Sequence, residues 1–280
     1  MHAFVDWLAS LTHSLPVYAA ILFGLALFTS FLGFLRTVYF VSLGYAFSIL
    51  SMGILSLVAF GRSASLLALV QTALLALYGL RLGFYLVARE IKSTDYKRVL
   101  NDTETRKVPV GLRMVIWVSV GLLYLLMFSP GLFHLAAPEM AGSGLTAVYV
   151  GLAIMVLGFG IEAVSDLQKS AHKKKNPKKF CDVGLYRMVR YPNYLGEVTF
   201  WSGSFVAALG AYSSWIQWAS ALTGYVCLVL VMIGSTKRLE KKQQERYGAE
   251  PEFQKYSTTV PVLLPLLPIY SLSRVRVLLE

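Results

Sequence analysis

Residues 182–201 read DVGLYRMVRYPNYLGEVTFW, and this stretch decides how the chain is organised. A lysine-rich segment precedes it and an apolar run follows, so a membrane helix begins here at the water boundary. Pro192 stands where a first helical turn tolerates proline, and Asn193 and Glu197 follow one turn apart. A carboxylate near the membrane costs about 2.5–3.5 kcal/mol on insertion scales unless it is paired or used. Glu197 is therefore either a helix-dipole partner or part of a site.

Working outward, the 280 residues are 56% hydrophobic and only 15% charged, against roughly 25% charged in soluble chains. The apolar residues fall into runs of about 20 residues, the length of a bilayer-spanning helix. Spans are predicted near 16–35, 37–60, 64–88, 111–136, 145–164, 193–212 and 215–234, with a short interfacial helix over 1–15 carrying Phe4, Trp7 and Leu8. The expected fold is all-α: a polytopic membrane bundle of about seven transmembrane helices. Pro130 and Gly131 mark a kink or an exit point in the fourth span. A functional division is expected near residue 110, between residues 1–110 and 111–280.

The net charge of +11 does not point to nucleic acid, because the cations gather in three segments. Arg89, Lys92, Lys97, Arg98, Arg106 and Lys107 lie between the third and fourth spans; Lys169 to Arg190 lie between the fifth and sixth; Lys237 to Lys255 lie in the tail. Seven spans bring all three to one side, which the positive-inside rule makes cytoplasmic, with the N-terminus outside. A bacterial inner membrane and an endoplasmic reticulum membrane both fit. Cys181 and Cys227 form neither a disulfide framework nor a metal-ligand pattern. The proline-broken close at 260–270 is too short to span and is expected at the interface or against the bundle.

Several polar residues interrupt the apolar runs. Gln71, Tyr78, Arg81 and Tyr85 make a stripe along the third span. Gly79 and Gly83 lie on another face, spaced for close helix packing. Arg81 needs a partner or water, and Glu162, Asp166 and Glu197 are the available acids. Glu162 and Asp166 stand one turn apart near the end of the fifth span. Lys173, Lys174, Arg187 and Arg190 are candidates for holding phosphates; the lysine run also reads as a solvated or lipid-binding face. No GxGxxG follows a strand, which argues against a Rossmann site. Asn193 and Glu197 on one face suit a carboxamide, with the carboxylate accepting from its NH₂ and the asparagine donating to its carbonyl.

Gly184-Leu185-Tyr186, Arg190, Pro192-Asn193-Tyr194, Gly196-Glu197 and Trp201 resemble the C-terminal signature of the steroid 5-alpha-reductase family, in its bacterial and lower-eukaryotic membrane branch. The resemblance is clearest from Glu162 to Pro261. It includes Asp166-Leu167-Gln168-Lys169 and the tail residues Arg238, Glu240, Tyr247, Phe253 and Tyr256, and it thins over Tyr78, Arg81 and Tyr85. It implies an NADPH-dependent reduction of a C=C bond conjugated to a carbonyl in a steroid-like or other lipid substrate. It implies Tyr78 as hydrogen-bond donor to the substrate carbonyl, with Gln71, Arg81 and Tyr85 toward the substrate. Glu162, Asp166, Asn193, Tyr194 and Glu197 would face the nicotinamide end; Lys173, Arg187, Arg190, Arg238 and Tyr256 would serve the remainder of the cofactor. Steroid-reducing members pair that tyrosine with a glutamate on the preceding helix. The second span here has no carboxylate, only Ser42, Tyr45 and Ser48, so Tyr45 is the candidate substitute. A related pattern, Arg-His-Pro-x-Tyr, occurs in isoprenylcysteine-type methyltransferases using S-adenosylmethionine; here Tyr191 replaces its histidine. A non-catalytic lipid-binding or scaffold protein is the third reading. The expected partners are membrane lipid and a lipid-like small molecule, with the protein acting as a monomer.

Overall fold

The computed structural model describes residues 10–12, 14–92, 108–265 and 267–273. The interfacial helix expected over 1–15 and the charged segment beyond residue 92 lie largely outside the described residues. The described chain is helical and contains no strand: α1 (Leu15–Ser30), α2 (Leu43–Phe60), α3 (Leu66–Lys92), α4 (Val110–Ala136), α5 (Gly142–Lys175), α6 (Pro192–Ala207), α7 (Trp215–Tyr247) and α8 (Pro251–Thr259), with short 3₁₀ turns between some of them.

Among the described residues, six segments are long and apolar enough to cross a membrane: Leu15–Phe34, Thr37–Phe60, Leu66–Ile91, Val110–Ala136, Gly142–Lys175 and Trp215–Tyr247. The remaining expected span corresponds to α6, which has 16 residues. At 1.5 Å per residue that is about 24 Å, short of a hydrocarbon core of about 30 Å.

Two compact units divide the chain by packing: Met1–Tyr149 with Phe205–Gly224, and Val150–Ser204 with Tyr225–Glu280. The division expected at residue 110 is one of function and follows a different line.

In the first unit, α2 and α3 meet through glycines. A Cβ on Gly79 would stand 2.6 Å from the Ala46 carbonyl oxygen, and one on Gly53 would stand 2.9 Å from the Ala76 Cβ. Small residues let membrane helices approach closely, as the Gly79–Gly83 spacing predicts. The α1–α2 connection is 3₁₀ rather than α, over Phe31–Phe34 and Thr37–Val41. Irregular backbone inside an apolar segment needs outside donors. Helix α4 provides them: Arg113 donates to the Gly33 and Phe34 carbonyls, and Tyr124 donates to that of Phe40.

Pro130 lies inside α4, which runs on to Ala136, so it marks no exit from the helix. Proline has no N–H for the carbonyl four residues back. The Ser129 hydroxyl replaces it, donating to the Leu126 carbonyl at 2.8 Å. Gly224 of α7 packs on the same carbonyl, where a Cβ would come within 2.5 Å.

In the second unit, α5 continues about three turns past the expected 145–164 boundary, because no Gly or Pro interrupts it before Asn176-Pro177. Helix α7 likewise runs unbroken through the basic tail to Tyr247. Glycines hold α6 on α5. Cβ atoms on Gly158, Gly196 and Gly203 would stand 2.3 Å from Phe200 N, 2.6 Å from Glu162 N and 2.5 Å from Met155 N.

Candidate cofactor site at the helix ends of the second unit

The Gly196 contact puts the Glu162 backbone level with Glu197's own turn of α6. Glu162, Asp166 and Glu197 are 3%, 5% and 7% exposed. Three buried acids on two helices packed at glycine distance are costly unless they serve a partner or a ligand. Asn193, one turn before Glu197, has a buried Oδ1 with no hydrogen-bond partner among the described residues.

Beyond these acids the long helices build a cavity of about 180 Å³, lined by Lys169, Lys173, Phe180, Cys181, Tyr186, Leu239, Lys242, Gln243, Arg246 and Tyr247. Two helix faces make most of it. Residues 169 and 173 are one turn apart on α5; 239, 242, 243, 246 and 247 form one stripe of α7. Four cations and no acid line this space, which is the electrostatic character of an anion site. Lys173 Nζ donates to the Tyr247 hydroxyl at 2.7 Å and to the Lys179 carbonyl, which fixes its position on the wall. Burial pushes the Cys181 thiol up, opposed by the nearby Lys169 and Lys173 charges. The stack of Phe180, Phe253, Tyr247 and Tyr256 closes the side.

The signature's other residues hold the loop that covers α5. Gly184 has φ +58°, and its missing Cβ would fall 2.4 Å from the Gln168 side chain. Gln168 Oε1 accepts from the Leu185 N–H at 2.9 Å. The Tyr256 hydroxyl donates to the Tyr186 carbonyl at 2.7 Å, and burial raises its pKa. Arg190 is 2% exposed; it pairs with Glu240 at 3.3 Å and donates to the Tyr270 carbonyl. Tyr191 donates to Gln243 at 3.1 Å and stacks with Tyr194, ring centroids 6.2 Å apart. Arg187 is exposed, with Nε bonded to the Asp182 carbonyl at 3.2 Å. Arg238 is exposed and bonded to Ser235 at 3.0 Å. Of the expected phosphate-binding cations, the structure therefore puts Lys173 in the cavity wall, Arg190 in an ion pair and Arg187 and Arg238 at the surface. Sequence reasoning missed Lys169 of α5, and Lys242, Gln243 and Arg246 of α7, as candidate site residues. The signal for the α7 residues is the helical stripe, visible once α7 is extended beyond its apolar part.

The first unit gathers the other candidates. Tyr78 is fully buried, and its ring centroid lies 6.3 Å from that of Tyr45, which in turn lies 5.4 Å from Tyr124. Gln71, also fully buried, accepts from His134 Nδ1 at 2.6 Å. The Arg81 and Arg89 guanidiniums lie 5.7 Å and 5.6 Å from the Tyr85 ring centroid. The expected stripe thus divides into a buried part, Gln71 and Tyr78, and a half-buried part, Arg81 and Tyr85.

These features define a class: an all-helical, multi-pass membrane protein whose helices carry a cation-lined cavity at their polar ends. Within that class the chain belongs to DUF1295, a family described as a protein of unknown function, whose profile matches residues 35–260. No curated protein and no solved structure matches the chain.

Proposed function

We propose that this protein is an NADPH-dependent reductase acting on a C=C bond conjugated to a carbonyl in a steroid-like or other lipid substrate, as its resemblance to the steroid 5-alpha-reductases implies. The observation that carries the reading is the acid-free cavity of Lys169, Lys173, Lys242 and Arg246, in the same unit as buried Glu162, Asp166 and Glu197. The residues fit the cofactor. Phosphates are matched by lysine and arginine on a rigid wall. A carboxamide NH₂ is matched by two acceptors, the Glu197 carboxylate and the Asn193 Oδ1 that lacks a protein donor, while the Asn193 NH₂ is left to donate to the carboxamide carbonyl.

When bound, NADPH supplies the hydride for the β-carbon. Lys169, Lys173, Lys242 and Arg246 would hold its phosphates, and Asn193 and Glu197 would orient its carboxamide. Reduction at the β-carbon moves an electron pair toward the substrate oxygen, which becomes an enolate, and the α-carbon then takes a proton. Tyr78 is the residue assigned to donate a hydrogen bond to that oxygen; a preorganised donor contributes about 2.7–4 kcal/mol to such a step. Tyr45, whose ring lies beside that of Tyr78, is the residue that would stand in for the missing glutamate. S-adenosylmethionine carries a sulfonium cation and no phosphate, so a cavity lined by four cations disfavours the methyltransferase reading.

Thermal unfolding of the detergent-purified protein with NADPH, NADH or S-adenosylmethionine tests this. A ligand at a hundredfold excess over its Kd stabilises the folded state by about 2.7 kcal/mol. The expected result is a rise in Tm with NADPH. A rise with S-adenosylmethionine alone would reassign the site to methyl transfer, and no rise with any ligand would leave the scaffold reading.

A further inference from the structure

Residues 260–265 and 267–273, beyond α8, form a strap. Its backbone is bonded to the second unit at both ends: the Arg190 N–H donates to Pro261 O at 2.9 Å, the Tyr191 N–H to Val262 O at 3.2 Å, and the Leu272 N–H to Glu240 Oε2 at 3.0 Å. The Val262 N–H donates to Ile269 O at 2.8 Å and closes the strap into a loop. Its inner side chains, Val262 and Leu272, are buried with Tyr191 against Ile233 and Leu239 of α7. Its outer side chains are apolar and uncovered: Leu264, Leu267, Ile269 and Tyr270 are 41%, 47%, 41% and 41% exposed.

The depth of the strap follows from α7. The apolar run of that helix ends at Ile233-Gly234, and its basic run begins at Lys237. The strap is fastened at Glu240, about 9 Å further along the axis at 1.5 Å per residue. The polar layer on each side of a bilayer is about 7 Å thick, taking roughly 30 Å of hydrocarbon within a total of about 45 Å. The strap also packs against Ile233 at the end of the apolar run, so it spans the headgroup layer, from the hydrocarbon edge at Ile233 to just beyond the layer's outer limit at Glu240, beside the exposed cations Arg238 and Lys241.

We infer that the strap is an interfacial anchor: Leu264, Leu267, Ile269 and Tyr270 insert at the headgroup–acyl boundary of the membrane that holds the helices, while the basic turns of α7 meet anionic headgroups. Apolar side chains flanked by Lys and Arg are the composition that binds such a boundary. Through Arg190, Tyr191 and Glu240 the anchor also fixes the position of the signature loop. The inference does not depend on the reductase reading.

The test uses the full chain in nanodiscs of zwitterionic lipid with a fraction of phosphatidylglycerol. A fluorophore is placed at Leu267→Cys in a Cys181→Ser, Cys227→Ser background, with Lys255→Cys on α8 as a water-exposed control. Lipids carrying a quencher high on the acyl chain should extinguish emission at position 267 and leave that at 255 unchanged. Emission at 267 quenched only by aqueous iodide would overturn the inference. A 267–267 disulfide dimer would also overturn it by assigning the face to a second copy. The unsubstituted protein gives a second measurement: photoactivated diazirine lipid should label peptides within 261–273, and labelling of the helices without the strap would refute the anchor.

Discussion

Lys242 and Arg246 carry the cofactor reading at the level of single residues. Reversing either charge should weaken NADPH binding roughly tenfold or more, since a hydrogen bond to a charged group contributes about 1.5–3 kcal/mol and about 1.4 kcal/mol is tenfold. Titration calorimetry on Lys242→Glu and Arg246→Glu checks this; unchanged Kd in both would remove the cavity from the site. Tyr78→Phe should lower turnover by roughly a hundredfold, the effect of losing one preorganised donor, while NADPH affinity stays constant. A third residue tests the loop rather than the chemistry. Gly184 combines φ +58° with a Cβ path blocked by Gln168 at 2.4 Å. Gly184→Ala should lower stability by about 1–3 kcal/mol, the cost of a residue forced into sparsely populated backbone space. Thermal melts of the variant against the parent would show it.

At the scale of elements, the α5–α6 contact decides where the buried acids meet. Gly158 lies against the α6 backbone at Phe200, where a side chain has only 2.3 Å. Gly158→Val would push α6 off α5, and overpacking of this kind costs typically about 1–3 kcal/mol. The expected outcome is a lower Tm with NADPH affinity reduced in parallel, because Asn193 and Glu197 move with α6. Retained affinity at a lowered Tm would separate the helix contact from the cofactor site. The sequence announced the glycines of α3 through their four-residue spacing. It did not announce those of α5 and α6, since Gly158 and Gly196 belong to different helices and their pairing is a property of the packed unit.

At the scale of the whole molecule, the question is how many times the chain crosses. Helix α6 begins at Pro192 and has 16 residues, yet the three basic segments share one side only if it counts as a crossing. We expect reporter fusions at the two ends to lie on opposite sides of the membrane, with the C-terminus cytoplasmic. Reporters on one side would mean that α6 turns back within the bilayer.

Sequence by itself determined the class of fold, because runs of about 20 apolar residues have few alternatives to the helix in a bilayer. It also singled out Asn193, Glu197, Glu162 and Asp166, since polar groups inside apolar runs stand out against their neighbours. The tertiary structure decided which cations share a space. Lys169, Lys173, Lys242 and Arg246 look alike in a basic chain with 26 Lys and Arg. Only the meeting of α5 and α7 draws these four together, while Arg190 is withdrawn into its pair with Glu240. Charge is written residue by residue, but a binding field is a sum over positions in space, and those positions come from packing.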